Sequence, residues 1–205
     1  AGKGQRGNSW ESAPGMNLTF STVLYPSALK AREQFTLSML IALSVYDTLS
    51  TYAEGFSIKW PNDIYWHDKK IAGILIENVL SGSTFSRAII GMGLNINQKN
   101  FYSDAPNPVS LHQITGHTYK IEKILDEFTE ALGKRYTDTF TNSSDRIHKE
   151  YIAALYRNDG VYPFYSDGNI FHASIADVEL DGHLLLLTES GEKKRFAFKE
   201  VSFLL

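Results

Sequence analysis

The 205-residue chain is 43% apolar, carries a net charge of −3 and contains no cysteine. That is enough apolar material for one large domain or one domain with a small companion; it excludes a disulfide framework, a thiolate metal site and a cysteine nucleophile, and it gives no charge bias toward nucleic acid or a membrane surface. No apolar run reaches the roughly 20 residues that span a bilayer, and no charged-then-apolar leader opens the chain, so a cytoplasmic location is expected.

Residues 1–10, AGKGQRGNSW, place Gly2, Gly4 and Gly7 in a literal G-x-G-x-x-G. A dinucleotide fingerprint needs a strand before these glycines and a helix after them. Only Ala1 precedes them here, and residues 17–25 alternate like a strand, so that reading is rejected. A P-loop also fails, because no Gly-Lys-Ser/Thr closes the loop. What remains is a basic loop with Lys3 and Arg6 whose amides can fold over an anion, or an ordinary surface loop. Residues 31–52 then carry Phe35, Met39, Ala42, Leu43, Tyr46 and Leu49 at helical spacing, with Gly55 placed to end the run. They predict a buried helix across one face of a sheet.

The densest chemistry lies in residues 57–77, SIKWPNDIYWHDKKIAGILIE, which read as strand, turn, strand, tight turn, strand. Pro61 ends the first strand, Asn62 and Asp63 turn, and residues 67–69 suit a hairpin loop. Strand alternation puts Lys70 on a face with Ala72, Ile74 and Ile76. A lysine heading an apolar row either snorkels to water or meets an anion. Gly73, inside a good strand, marks either a bulge or the close approach of a ligand. In residues 86–97, Gly91, Gly93, Asn95 and Asn97 share one face, a bare strip suited to a flat or anionic ligand or to close helix packing.

Beyond a loop at 101–108, Ser110 caps a short predicted helix that ends at Gly116. Ile121, Ile124, Leu125, Phe128, Leu132 and Tyr136 form the stripe of a longer helix, and a further helix is predicted over 145–155. Residues 157–160, Arg-Asn-Asp-Gly, are the expected boundary between domains 1–158 and 159–205. The second holds strands at 161–165, 170–178, 184–188 and 194–197 separated by polar turns, the pattern of a small barrel with no strong site candidate. The six histidines show no zinc spacing.

Lys59-Trp60-Pro61-Asn62-Asp63 followed by Lys70-Ile71-Ala72-Gly73-Ile74-Leu75-Ile76-Glu77 resembles the signature of the biotin protein ligases in composition, order and separation. The resemblance implies an α+β fold, with a mixed-sheet catalytic domain of the class II aminoacyl-tRNA synthetase and biotin ligase type and a C-terminal SH3-like barrel. It implies Lys70 and Lys59 as catalytic residues. Lys3, Gly4, Gln5, Lys70 and Gly73 would bind biotin, and Gly2, Arg6, Gly7, Trp10, Asn62, Asp63 and Asn95 would bind ATP or the adenylate. Asp63 and Asn95 would serve the Mg2+ that accompanies ATP. The family's G-R-G-R-x-G-R-x-W loop is matched here by GKGQRGNSW, in which Lys3 and Gln5 replace arginines.

A strand, a helix and a second strand that precede this loop in the family do not appear, so the chain reads as a member lacking its first catalytic elements and any DNA-binding segment. The implied reaction is formation of biotinyl-5'-AMP and transfer of biotin to a lysine of a biotin carboxyl carrier protein. No nucleic-acid or membrane partner is expected, and a homodimer is compatible. A lipoate-type ligase and a catalytically weak module that binds biotin or its adenylate are the alternatives.

Overall fold

A computed structural model describes residues 2–3, 9–82, 84–103, 105–141 and 144–204. Its main layer is a five-stranded sheet of β3 (Leu18–Leu24), β4 (Phe56–Lys59), β5 (Asp63–Trp66), β6 (Lys69–Ser81) and β7 (Thr84–Leu94), in the order β3-β7-β6-β5-β4. Every neighbouring pair is antiparallel, which corrects the expected mixed sheet. The reason is connectivity. Hairpins join β4 through β7, and the one crossover, through α1 (Phe35–Ser50), carries the chain from β3 to the opposite edge, where no parallel neighbour awaits it. Ahead of this sheet, β1 (Gly2–Lys3) pairs with β2 (Ser9–Trp10).

Helix α1 is apolar around most of its circumference because it is enclosed on most sides, with Leu37, Met39, Leu40, Ile41 and Leu49 fully buried. A short 3-10 turn at Ala31–Glu33 leads into it, so the predicted helix is split at its start. Ser110 caps α2 (Leu111–Thr115) in a reciprocal capping box with Gln113, and Gly116 ends it in a left-handed conformation, as predicted. Helices α3 (Ile121–Thr141) and α4 (Ser144–Ala153) complete the layer, burying Ile124, Phe128, Ile147 and Tyr151.

The second sheet contains β8 (Tyr162–Ser166), β9 (Asn169–Val178), β10 (Leu184–Thr188), β11 (Lys193–Phe196) and β12 (Ser202–Phe203), in the order β11-β10-β9-β8-β12. Four of these strands fall within a residue or so of their predicted places. Closure into a barrel is not found among the described residues: β12 is two residues long and pairs with β8, and no ladder joins it to β11. Trp60 fastens this sheet to the first by donating its indole N–H to the Gly182 carbonyl at 3.0 Å.

One ion-pair network ties the helical layer together. Arg135 of α3 donates to Asp47 of α1 and Glu150 of α4, both at 2.7 Å. Hydrogen bonds from Arg135 and then Arg146 hold the Glu150 carboxyl below its ordinary value of 4.5. Arg135→Met should cost about 1–2 kcal/mol in urea unfolding at neutral pH, the range for a part-exposed network rather than a fully buried triad. A carboxyl with a lowered folded value stabilises the fold above its unfolded value and loses that contribution as pH falls through its folded value, so the gap between parent and variant should narrow in acid.

Candidate active site

A cavity of about 970 Å3 lies over the sheet and is lined by the 59–63 turn, the middles of β6 and β7, Trp10, Pro106 and the segment 198–203. Its floor is a cross-strand row. Thr19 pairs with Gly93, Gly93 with Gly73, Gly73 with Asp63, and Asp63 with Lys59, so five adjacent strands present these residues in line. The next row runs from Ser21 through Gly91 to Leu75. Two neighbouring glycines at the centre leave bare backbone.

Lys70 reaches this floor by an irregularity. The β5–β6 register shifts between Ile64, opposite Ala72, and Tyr65, opposite Lys70, which makes Ile71 the extra residue of a bulge. Alternation is thereby reset. Lys70 shares a face with Gly73 and Leu75, while Ile71 and Ala72 are both fully buried, which corrects the row of Lys70, Ala72, Ile74 and Ile76 predicted from unbroken alternation. The lysine stem lies above Gly73, where a Cβ would meet Lys70 Cε at 3.4 Å and Nζ at 3.5 Å. Gly73 itself is not bulged, since it pairs in regular register with Asp63 and Gly93; what comes close to it is the Lys70 stem and the Trp10 ring. Lys70's backbone faces away from β5: its N–H donates to Asn107 O at 2.8 Å and its carbonyl accepts from Val109 N–H at 2.9 Å.

Trp10 lies on the glycine strip. A Cβ at Gly93 would meet its indole at 2.4 Å, and the Lys70 ammonium is 5.8 Å from the ring centroid. The indole N–H is buried without an acceptor among the described residues. Beside Trp10, the Glu11 carboxylate accepts from the Tyr102 and Ser103 amides and from Gln98, fixing the loop that brings Pro106 to the cavity. These bonds, that of Ser103 first, hold the Glu11 carboxyl below its ordinary range.

The two lysines have different surroundings. Lys70 Nζ is 2.7 Å from Asp63 Oδ1, and both side chains keep some exposure. Lys59 donates to Tyr65 OH at 3.0 Å and stands 4.7 Å and 5.5 Å from the Tyr65 and Phe203 rings. Burial pushes its ammonium below the usual lysine range; Asp63 opposes the shift, and Lys70 and Arg157 add to it. Behind Tyr65, Tyr156 hydrogen-bonds Asp68, and burial with that bond pushes its hydroxyl up to about 12. Asn62 clasps Ile74, donating its side-chain amide to the Ile74 carbonyl and accepting the Ile74 N–H on its own carbonyl at 2.9 Å.

Of the residues expected at the site, Lys59, Asn62, Asp63, Lys70, Gly73 and Trp10 converge on the cavity. Asn95 does not line it. This residue is buried just past the end of β7, donating to Val109 O at 3.1 Å, with an Oδ1 that has no partner among the described residues. Gly4, Gln5, Arg6 and Gly7 lie outside the described residues, and Gly2 and Lys3 are placed by backbone alone, in β1.

Sequence reasoning missed the contribution of the second sheet, where Phe198, Lys199, Ser202 and Phe203 line the cavity, contrary to the expectation of no strong candidate there. A short polar turn carries no local signal of what it will face. Glu11 was missed because its partners are distant in sequence, and Tyr65 because its hydroxyl meets Lys59 only through the three-dimensional placement of two neighbouring strands. Away from the cavity, Glu179, Asp181 and His183 cluster on the second sheet, but Arg195 already pairs with both carboxylates at 2.6 Å.

A profile of the biotin/lipoate A/B protein ligase family matches residues 1–95. The biotin--[acetyl-CoA-carboxylase] ligase of Paracoccus denitrificans is 32% identical over 166 residues, covering 77% of this chain and 68% of the relative. The chain belongs to the biotin protein ligase family. A second member, the bifunctional ligase/repressor BirA of Bacillus spizizenii, is 28% identical over 96% of the chain, which spans 62% of that relative's length. Among solved structures of the family, the Aquifex aeolicus biotin protein ligase in complex with biotin and ATP aligns with a TM-score of 0.79 and 26% identity, over 98% of this chain and 83% of that one. Family membership and the α+β architecture of two antiparallel sheets thus agree.

Two outcomes test the geometry. Gly93→Ala should push the Trp10 indole off the strip, seen as a red shift in tryptophan emission that is absent in a Trp10→Phe background. Lys59→Met should raise stability at neutral pH. Between Lys59's lowered folded value and the ordinary 10.5, the unfolded chain holds a proton that the folded chain has shed, so the parent gains stability as pH rises there. The variant's advantage in denaturant midpoint should therefore shrink above neutrality.

Proposed function

We propose that the chain is the catalytic portion of an ATP-dependent ligase that activates biotin as biotinyl-5'-AMP and passes it to a lysine of a biotin carboxyl carrier protein. The observation that carries this reading is the placement of the Lys70 ammonium over Gly73, 2.7 Å from Asp63, in a cavity floored by paired glycines. The absence of side chains at Gly73 and Gly93 lets the Trp10 ring and the Lys70 stem lie flat on the cavity floor, and a cation fixed by a carboxylate is already oriented when a second anion arrives. The Paracoccus and Aquifex relatives are named as biotin ligases, which favours biotin over lipoate as the acid.

In the first step a biotin carboxylate oxygen attacks the α-phosphorus of ATP, the bond to the β-phosphate oxygen breaks, and pyrophosphate leaves with that electron pair. Lys70 meets the negative charge shared by carboxylate and phosphate, and Lys59 supplies a second cation from a partly buried position where its field is less screened. In the second step a carrier lysine amine attacks the acyl carbon, AMP departs and the amine loses its proton. No enzyme nucleophile is required.

The residues also fit the magnesium that ATP brings. Asp63 engages Lys70 through one carboxylate oxygen, leaving the other, and Glu77 is a second carboxylate on the lining, a donor set that complements phosphate oxygens. Asn95, in its buried place, is not part of that set. We read the second sheet as the SH3-like unit of residues 159–205, with its 198–203 segment serving as one wall of the nucleotide site.

Lys70→Ala should lower biotin-dependent pyrophosphate release by about 10²- to 10³-fold, while stability changes by about 1 kcal/mol or less, as for a part-exposed ion pair. Unchanged release in a folded variant would remove Lys70 from the reaction. Equal activation of lipoate and biotin by the parent would reassign the substrate, and biotin binding without release would make the chain a binding module.

A further inference from the structure

The second sheet brings its own cation to the cavity from a backbone position that disfavours one. Ala197 to Glu200 form a turn closed by the Glu200 N–H on the Ala197 carbonyl at 3.1 Å, with the Glu200 carboxylate accepting the Ala197 N–H at 2.7 Å. Lys199 is the third residue of this turn, at φ 74°, in the left-handed region where such a turn takes glycine or asparagine. Residues held in such regions cluster at binding and catalytic sites. Lys199 Nζ stands 5.8 Å from the Phe198 ring, which packs edge-on against Trp60 at 6.1 Å, so the turn sits against the Trp60–Pro61 segment and Lys199 lines the cavity.

Charge gives the side chain its task. Among the described residues the cavity is lined by Lys59, Lys70 and Lys199 against Asp63 and Glu77. Lys70 is tied to Asp63, and without Lys199 the lining would be electrically neutral, a poor host for a nucleotide's phosphate chain. No described carboxylate forms an ion pair with Lys199.

We propose that Lys199 binds the phosphate tail of the nucleotide and the pyrophosphate that leaves. This rests on the adenylation reading above. Lys199 neither gains nor loses a covalent bond; as the bond between the α-phosphorus and the bridging oxygen breaks, it meets the charge gathering on the departing pyrophosphate. Lys59 and Lys70 serve the attacked phosphate and the acid, so the third lysine divides the work along the phosphate chain.

Lys199→Gly is the informative variant, because glycine suits the turn and removes the charge together; Lys199→Gln keeps most of the stem. Binding of magnesium pyrophosphate would be measured by titration calorimetry, alongside thermal midpoints and the KM values for ATP, biotin and carrier domain in the biotin-dependent reaction. Lys199→Gly is expected to melt at or above the parent while binding pyrophosphate roughly threefold to tenfold more weakly, as for loss of one solvent-accessible charge-assisted contact. The ATP KM should rise similarly in both variants, with biotin and carrier KM unchanged. Parent-like pyrophosphate affinity in both variants would overturn the proposal, as would an effect confined to the carrier KM. A parent that binds pyrophosphate through Lys199 yet releases none from ATP and biotin would overturn the ligase reading and leave the anion site standing.

Discussion

The pairing of Gly73 with Gly93 across β6 and β7 is the constraint on which the rest of the site depends. Any side chain at Gly93 would collide with Trp10, and one at Gly73 would press on both Trp10 and the Lys70 stem. The floor is therefore a strip of backbone without side chains, on which the Trp10 ring and the Lys70 stem lie. Everything chemically active is arranged around that strip. Asp63 continues the row on one side, the bulge at Ile71 swings Lys70 over it, and Trp10 lies across it.

Electrostatics then separates two lysines that sequence alone makes look alike. Lys70 keeps a carboxylate partner and partial access to water. Lys59 has a phenol and two aromatic faces instead, which stabilise an ammonium less than water does, and the result is a cation held reluctantly. Such a group is more responsive to an arriving anion than a neutralised one is. The arrangement suits chemistry in which charge appears in one step and departs in the next.

How much of this was legible in the sequence follows the range of the interactions. Local chemistry was readable: the capping box at Ser110, the glycine stop at Gly116, the Asp-Gly and Ser-Gly turns of the second sheet, and the apolar breadth of α1 all act within a few residues. The motif from Lys59 to Glu77 also brought the right residues to one place. A bulge is different, because it depends on which partner residues face each other across the sheet, and one inserted residue reverses the alternation beyond it. The pattern of Lys70 with Ala72 and Ile74 failed for that reason. Asn95 was placed on the glycine face because strand geometry was extended past Leu94, where β7 in fact ends. Lys199 left no trace, since a lysine in a polar turn is ordinary until its torsion angle and its neighbours are known.

The outward turn of Lys70's backbone ties the central lysine to a segment far from it in sequence. Lys70 stands opposite Tyr65, one pair in from the two-residue turn, where antiparallel alternation points both of its peptide groups away from β5; they bond to Asn107 and Val109, on the segment just beyond Pro106. Departure of that segment would release the Lys70 and Val109 amides together. Their hydrogen exchange would therefore be set by the same opening event, and a pair of amides makes the chain its own gauge of whether the cavity wall is seated.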